Sequence, residues 1–223
     1  MLKMKILIAC EESQRVCTEM RKRNHEAYSC DIQGCSGGHP EWHIQGDVLP
    51  LINGRCEFVT MDGIAHRIEN KWDLLIAHPP CTRLCNSGQR WLYWGSEEYK
   101  TNKRNEQKEA IEFFMMFVNA DCEHIAIENP CGIMSTIYRQ PDCIYNPYDF
   151  IGETECKKTC LWLKGLDPLV PTRQTPLPTS ERTNGIWRAH FQGLKLSWNN
   201  PETSRLRSQT PVGVAVAMAE QWA

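Results

Sequence analysis

Residues 72–88 read "WDLLIAHPPCTRLCNSG". The first half is a short apolar run of the length of a buried strand, and two prolines cut it off because they cannot continue a ladder. Pro79 and Pro80 have a fixed φ and no N–H, so the backbone is stiff where the thiol of Cys81 emerges. A core cysteine has no use for that rigidity, whereas a positioned nucleophile does.

Outward from this stretch the same texture repeats. Strand-like runs stand at 5–10 ("KILIAC"), 26–31 ("EAYSCD") and 124–130 ("HIAIENP"). Helical spacing lies between them: "SQRVCTEMRKRN" at 13–24 has Val16 and Met20 on one face with Ser13 as its N-cap. "NEQKEAIEFFMMFVNAD" at 105–121 starts polar and is apolar at 111, 114, 115 and 118. Strand alternating with helix, with acids and short polar turns at the strand ends, predicts a doubly wound, Rossmann-like α/β sheet. Ligands of such sheets sit beyond the carboxyl ends of the strands. From about 140 the texture changes, with prolines at 141, 147, 168, 171, 176 and 178, and predicts loops with one or two late strands. "TPVGVAVAMAEQWA" at 210–223 reads as a closing helix. One domain is expected over 1–223, with 140–204 as a loop-rich, substrate-facing insertion within it.

Composition bounds the rest. The 223 residues are 41% hydrophobic and 23% charged, enough for one substantial core. The net charge of -2 excludes a global basic field, so any nucleic-acid binding must come from a local patch. There is no apolar stretch of the length that spans a bilayer, and "MLKMKILIAC" followed by Glu11 and Glu12 is unlike a secretion signal. A cytoplasmic location is therefore expected. There, 12 cysteines are core residues, metal ligands or a nucleophile, not a disulfide framework.

Candidate functional residues stand at the strand ends: "ACEES" after the first, Asp31 after the second, Asp47 in "QGDVL", then Cys81 and Glu128. An acid about 20 residues beyond the first strand-to-helix turn is the position that takes ribose hydroxyls in nucleotide-binding folds. Each alone is also ordinary turn chemistry. Cys81 and Glu128 together are more specific, since a thiolate and a carboxyl group in one pocket can attack an unsaturated ring and protonate it elsewhere.

"PPCTRL" followed by "IENP" resembles the paired catalytic motifs of the cytosine-5 DNA methyltransferases. "CEESQ", "SCDIQ", "IQGDVLPL", "KTCLWLKGL" and "RSQTPVGVAVAMAEQW" extend the likeness, over nearly the whole chain, to the small single-domain members found in phages and prophages. The resemblance implies a fold of the S-adenosylmethionine-dependent methyltransferase type and, for a phage-encoded chain, a host cytoplasm. It implies that Cys81 adds to C6 of a cytosine in DNA while Glu128 holds N3 and the exocyclic amine. The cofactor, S-adenosylmethionine, would meet Asp31 and Ile32 at its ribose and Asp47 at its adenine amine. The turn Glu11, Glu12, Ser13 would face its methionine part, with His78 and Pro79 bordering it. The target base would be flipped or single-stranded. Arg83, Ser87, Arg90, Lys158, Arg205 and Arg207 are the expected DNA contacts, with Lys100 to Arg104 beside them.

The chain departs from the larger family members in three places. The loop after the first strand lacks the usual glycines. In "ECKKTC" Cys160 stands where an arginine is usual, with Lys158 keeping a charge nearby. About 40 residues, 167–205, replace a far longer target-recognition region; they could track phosphates and stack a base, or be a solvated loop. A fold-retaining binder of DNA or nucleotide, and a cytosine-modifying enzyme of nucleotide or RNA, therefore stay open beside the methyltransferase. Cys30, Cys35, His39 and His43 overlap zinc-ligand spacing, against a loop beside the cofactor. The run "MRKRNH" reads as the solvated face of the first helix, Trp91, Tyr93 and Trp94 as base-stacking or cleft-covering rings, and Cys85 as a spectator.

Overall fold

The computed structural model describes residues 2–183 and 201–223; the side chains of Arg90, Trp91, Pro201, Thr203 and Ser204 also lie outside that description. The apolar runs form strands that are buried on both faces. They are β1 (Lys5–Ala9), β2 (Glu26–Asp31), β3 (His43–Gln45), β6 (Leu74–Ala77), β7 (Ile125–Pro130), β8 (Cys143–Tyr145) and β9 (Thr159–Lys164). Their order in the sheet is β3-β2-β1-β6-β7-β9-β8. The first five run parallel, and β9 is antiparallel to both β7 and β8. This is the doubly wound, Rossmann-like α/β fold that the strand and helix alternation predicts.

Period-two alternation sends successive side chains of one strand into two different layers. Leu7 and Ala9 of β1 pack with Phe114 and Phe117 of α2 (Glu97–Val118). Ile6 and Ile8 pack with Val16 and Met20 of α1 (Arg15–Lys22) and with Val214 and Met218 of α5 (Val212–Trp222). A short α3 (Met134–Ile137) and α4 (Pro201–Ser208) complete the described helices.

Four details differ from the sequence expectations. A two-stranded hairpin, β4 (Cys56–Val59) with β5 (Ala65–Ile68), stands apart from the main sheet and is not foreshadowed by an apolar run. α2 begins at Glu97 instead of 105, because Ser96 caps it by accepting the Tyr99 N–H at 3.3 Å. Ser13 does not cap α1: Gln14 occupies the cap position without a side-chain bond. The capping oxygens come from Glu11, which accepts the N–H groups of Val16 and Cys17 at 2.7 and 3.2 Å. Finally, the "MRKRNH" run is not simply solvated, since Arg21 lies over the rings of Tyr28 and Trp42 and donates to the Ala27 carbonyl at 2.7 Å.

β1 has β2 on one side and β6 on the other, so the chain reverses direction of winding there and leaves a crevice beyond the carboxyl ends of these strands. Among the described residues no helix is long and apolar enough to cross a membrane.

Candidate active site at the carboxyl edge of the sheet

The loop after β1 has no glycine, yet its backbone takes glycine-like conformations. Cys10 has φ 59° and Gln14 φ 56°, each costing about 1–2 kcal/mol for a residue with a Cβ. Neighbours hold the strain in place. Gln14 donates to the His39 carbonyl at 2.8 Å and accepts the His39 N–H at 3.1 Å. Gly37 lies so close that a Cβ there would meet the Gln14 Cβ at 2.6 Å. Asp31 and Asp47 each use one oxygen on the N–H two residues onward, from Gln33 at 2.9 Å and Leu49 at 3.0 Å. Both carboxylates reach the same thiols: burial first, then Asp31 and Asp47, push Cys30 up to about 12, and burial with the same two acids pushes Cys10 up. Beside Asp31, Ile32 is 77% exposed.

The Pro79-Pro80-Cys81 turn is pinned from β7. Buried Asn129 donates to the Pro79 carbonyl at 2.7 Å. The Ile133 N–H donates to Leu84 O at 2.9 Å, and a Cβ on Gly132 would stand 2.0 Å from that same oxygen. The N–H groups of Leu84 and Cys85 both donate to the Cys81 carbonyl at 2.9 Å, making one helical turn. Residues four apart on such a turn are neighbours. The Cys85 thiol first, then burial and the charge of Glu128, push Cys81 up, with Lys157 opposing. Cys81 in turn draws Cys85 down, helped by Ser87. Cys85, expected as a spectator, has its Sγ 3.1 Å from Ser87 Oγ.

Glu128 points from β7 toward the same edge and meets His78, the residue that follows β6. The His78 Nδ1 donates to Glu128 Oε2 at 3.3 Å, with only 10% and 18% of the two side chains exposed. Burial opposes charge on both groups. For His78, the hydrogen bond and charge of Glu128, with Glu11, outweigh burial and Lys157 and raise its pKa. For Glu128, the bond and charge of His78, with Lys157, outweigh burial and lower it. Buried Glu11 goes the other way: desolvation lifts it to about 6 against the pull of His78 and of the two α1 N–H groups.

The residues expected on DNA are divided. Arg83 is ion-paired with Glu106 of α2 at 2.5 Å, and Lys103 with the same carboxylate at 2.7 Å. Lys158 is exposed, while its neighbour Lys157 is the cation that acts on Cys81, Glu128 and His78. Lys157 also donates to the Arg207 carbonyl at 3.1 Å. Arg205 pairs with Glu202 and approaches Glu12 at 3.7 Å, so it sits by the β1 loop. Cys160 is buried, with its Sγ 3.5 Å from that of Cys131. The Arg90 side chain and residues 184–200 of the expected recognition segment lie outside the described residues. Tyr93 and Trp94 are exposed.

The two histidines of the zinc-like spacing have partners within the protein. His43 binds Ser29 Oγ and Gln33 O at 2.8 and 2.9 Å, and His39 binds Glu41 and stacks on Trp42. Among the described residues no group of three or more His, Cys, Asp or Glu is arranged to hold a metal ion.

No protein-family model and no curated protein matches the chain. A solved structure described as a proposed DNA modification methyltransferase encoded within a prophage, from E. coli, aligns at TM-score 0.45 and 13% identity. The alignment covers 80% of this chain and 54% of that one, so this chain spans about half the length of its structural neighbour.

Sequence reasoning missed His78 as the partner of Glu128, Cys85 as the partner of Cys81, and Lys157 as the facing cation. Asn129, inside "IENP", and Gly132, two residues past it, fix the turn and were given no role. "ENPCG" holds the one available signal, a glycine just after a strand-ending proline, which marks close approach of another backbone segment.

Proposed function

We propose that the protein is a DNA cytosine-5 methyltransferase that uses S-adenosylmethionine. The observation that carries the reading is the convergence of Cys81, Glu128 and His78 at one edge of the sheet, from two adjacent strands about fifty residues apart in sequence.

The chain's groups have the chemistry for each part. Cys81 forms a bond to C6 of the base. Glu128 accepts the exocyclic amine and serves N3, so the ring takes up the electron pair and C5 becomes nucleophilic. Loss of the C5 proton to water then expels the thiolate. The donor set also suits the cofactor: Asp31 for ribose hydroxyls, Asp47 for the adenine amine, exposed Ile32 for an adenine face, and Glu12 for a cationic amine, its buried Oε1 without a hydrogen bond among the described residues and 3.7 Å from the Arg205 guanidinium. When bound, S-adenosylmethionine supplies the methyl group. We assign Arg83, held by Glu106 beside the Cys81 turn, with Ser87 and the exposed Tyr93 and Trp94, to a strand of DNA with an unstacked base.

The test is covalent trapping. DNA carrying 5-fluorocytosine, incubated with the protein and S-adenosylmethionine, should give an adduct visible by mass that Cys81→Ser abolishes. Absence of adduct in every cytosine context would sink the reading. A second reading, a binder that keeps the fold without methyl transfer, draws on buried Cys160 where an arginine is usual; calorimetric binding of the cofactor without any adduct would select it.

A further inference from the structure

We infer that His78 holds the proton that Glu128 hands to the substrate base, so that the acid of this site is an imidazolium–carboxylate pair instead of a carboxylic acid alone. The role on a cytosine rests on the reading above; the protonated pair itself does not.

The geometry makes the assignment. His78 is the last residue before Pro79, and its backbone N–H is fixed on the Ala9 carbonyl at 2.9 Å, so the ring has little freedom to leave. Its Nδ1 faces Glu128 Oε2 at 3.3 Å, and its Nε2 is buried with no hydrogen-bond partner among the described residues. Glu128 is therefore the described partner through which the ring exchanges a proton. The groups facing His78 are Glu128 from β7, Glu11 from the loop after β1 and Lys157 from the approach to β9, with Cys81 coupled to Glu128 three residues along the same turn. Two carboxylates against one ammonium favour the charged ring, and an ionised Glu128 is the form that accepts a base amine.

The proton count starts from an imidazolium, an ionised Glu128 and a Cys81 thiolate whose own proton has gone to solvent. As the thiolate adds to C6, N3 becomes strongly basic. Nδ1 of His78 passes its proton to the Glu128 carboxylate, which hands it on to N3. The outcome is a neutral imidazole, an ionised Glu128 and an N3-protonated adduct. On elimination the proton returns along the same path. His78 does not touch the base, so it is a positioning and proton-holding residue that acts through Glu128.

Two measurements test this together. In imidazole-labelled protein without substrate, with the His78 signal assigned by its loss in His78→Asn, the ring should titrate above the ordinary value near 6.5. Glu128→Gln should bring it down by a unit or more. A ring that titrates at or below the ordinary value, or that ignores Glu128→Gln, overturns the proposal whatever the substrate is. In the adduct assay, His78→Asn and His78→Gln should lose tenfold or more at pH 8 and approach wild type at acidic pH, where solvent supplies the proton. Circular dichroism should match wild type, since the substitutions leave the sheet intact. An adduct rate with an unshifted pH profile also overturns the proposal, leaving the methyltransferase reading intact. No wild-type adduct at any pH removes that reading, and the ring titration then decides the pair alone.

Discussion

Cys81 and Cys85 stand four residues apart on one turn, and each bears on the other's charge. Cys85 is drawn down by Cys81 and by Ser87, while Cys81 is pushed up by Cys85, by burial and by Glu128. Mass-mapped iodoacetamide labelling across pH should alkylate Cys85 well below the ordinary thiol range near 8.5. Cys81→Ala should move that midpoint upward. Two thiols reacting alike near the ordinary value would contradict the pairing. Glu11 makes the opposite kind of prediction, because burial raises its folded pKa to about 6 from 4.5. The ionised form is thus disfavoured by the fold, and acidification from above 6 to below 4.5 adds stability, at most about 2 kcal/mol. Glu11→Gln should remove this acid-side gain in urea titrations at a series of pH values; an unchanged pH slope would rule it out.

At the scale of elements, the decisive contact is between β7 and the turn that follows β6. Asn129 and Gly132 are neighbours of Glu128 on one segment, so a single element sets both the carboxylate and the nucleophile's backbone. Asn129→Ala leaves the Pro79 carbonyl without its buried donor and should cost about 1–3 kcal/mol in denaturant unfolding. Gly132→Ala drives a Cβ into Leu84 O and should shift the 81–85 turn, lowering adduct formation tenfold or more with a smaller effect on the melting temperature. Equal adduct rates for Gly132→Ala and wild type would show that the turn is set elsewhere. The strand containing Glu128 was legible from "HIAIENP", because an apolar run closed by proline has few other readings. The link across to Pro79 was not, since nothing in either stretch names its neighbour in the sheet.

For the whole molecule, the half-buried His78–Glu128 pair gives stability a pH window. Glu128 has a lowered folded pKa, so its contribution is complete above its unfolded 4.5 and is lost as pH falls through the folded value. His78 has a raised folded pKa, so its contribution is complete below its unfolded 6.5 and is lost as pH rises through the folded value. Melting temperature should therefore show the pair's full effect between pH 4.5 and 6.5, best read in a Glu11→Gln background that lacks the opposing acid-side gain. A double-mutant cycle with His78→Asn and Glu128→Gln should give coupling inside that window that fades above it. Flat coupling across pH would contradict an ionic pair. The sheet order explains why this pair exists: β6 and β7 are hydrogen-bonded neighbours, which places residues 78 and 128 side by side.

The sequence by itself determined the alternation of strands and helices, the stiff turn before Cys81, the acid at the end of β7 and the closing helix, because these are properties of consecutive residues: apolar period, proline geometry, turn chemistry. Tertiary structure alone decided that His78 answers Glu128, that Lys157 and not Lys158 faces the site, and that Cys160 lies in the core against Cys131. It also decided that two residues other than glycine bear left-handed backbone in the loop after β1. Each of these depends on which strands become neighbours, on the antiparallel insertion of β9 beside β7, and on the face a residue takes. Those choices are made by packing across 25 to 50 residues, where local spacing has no information.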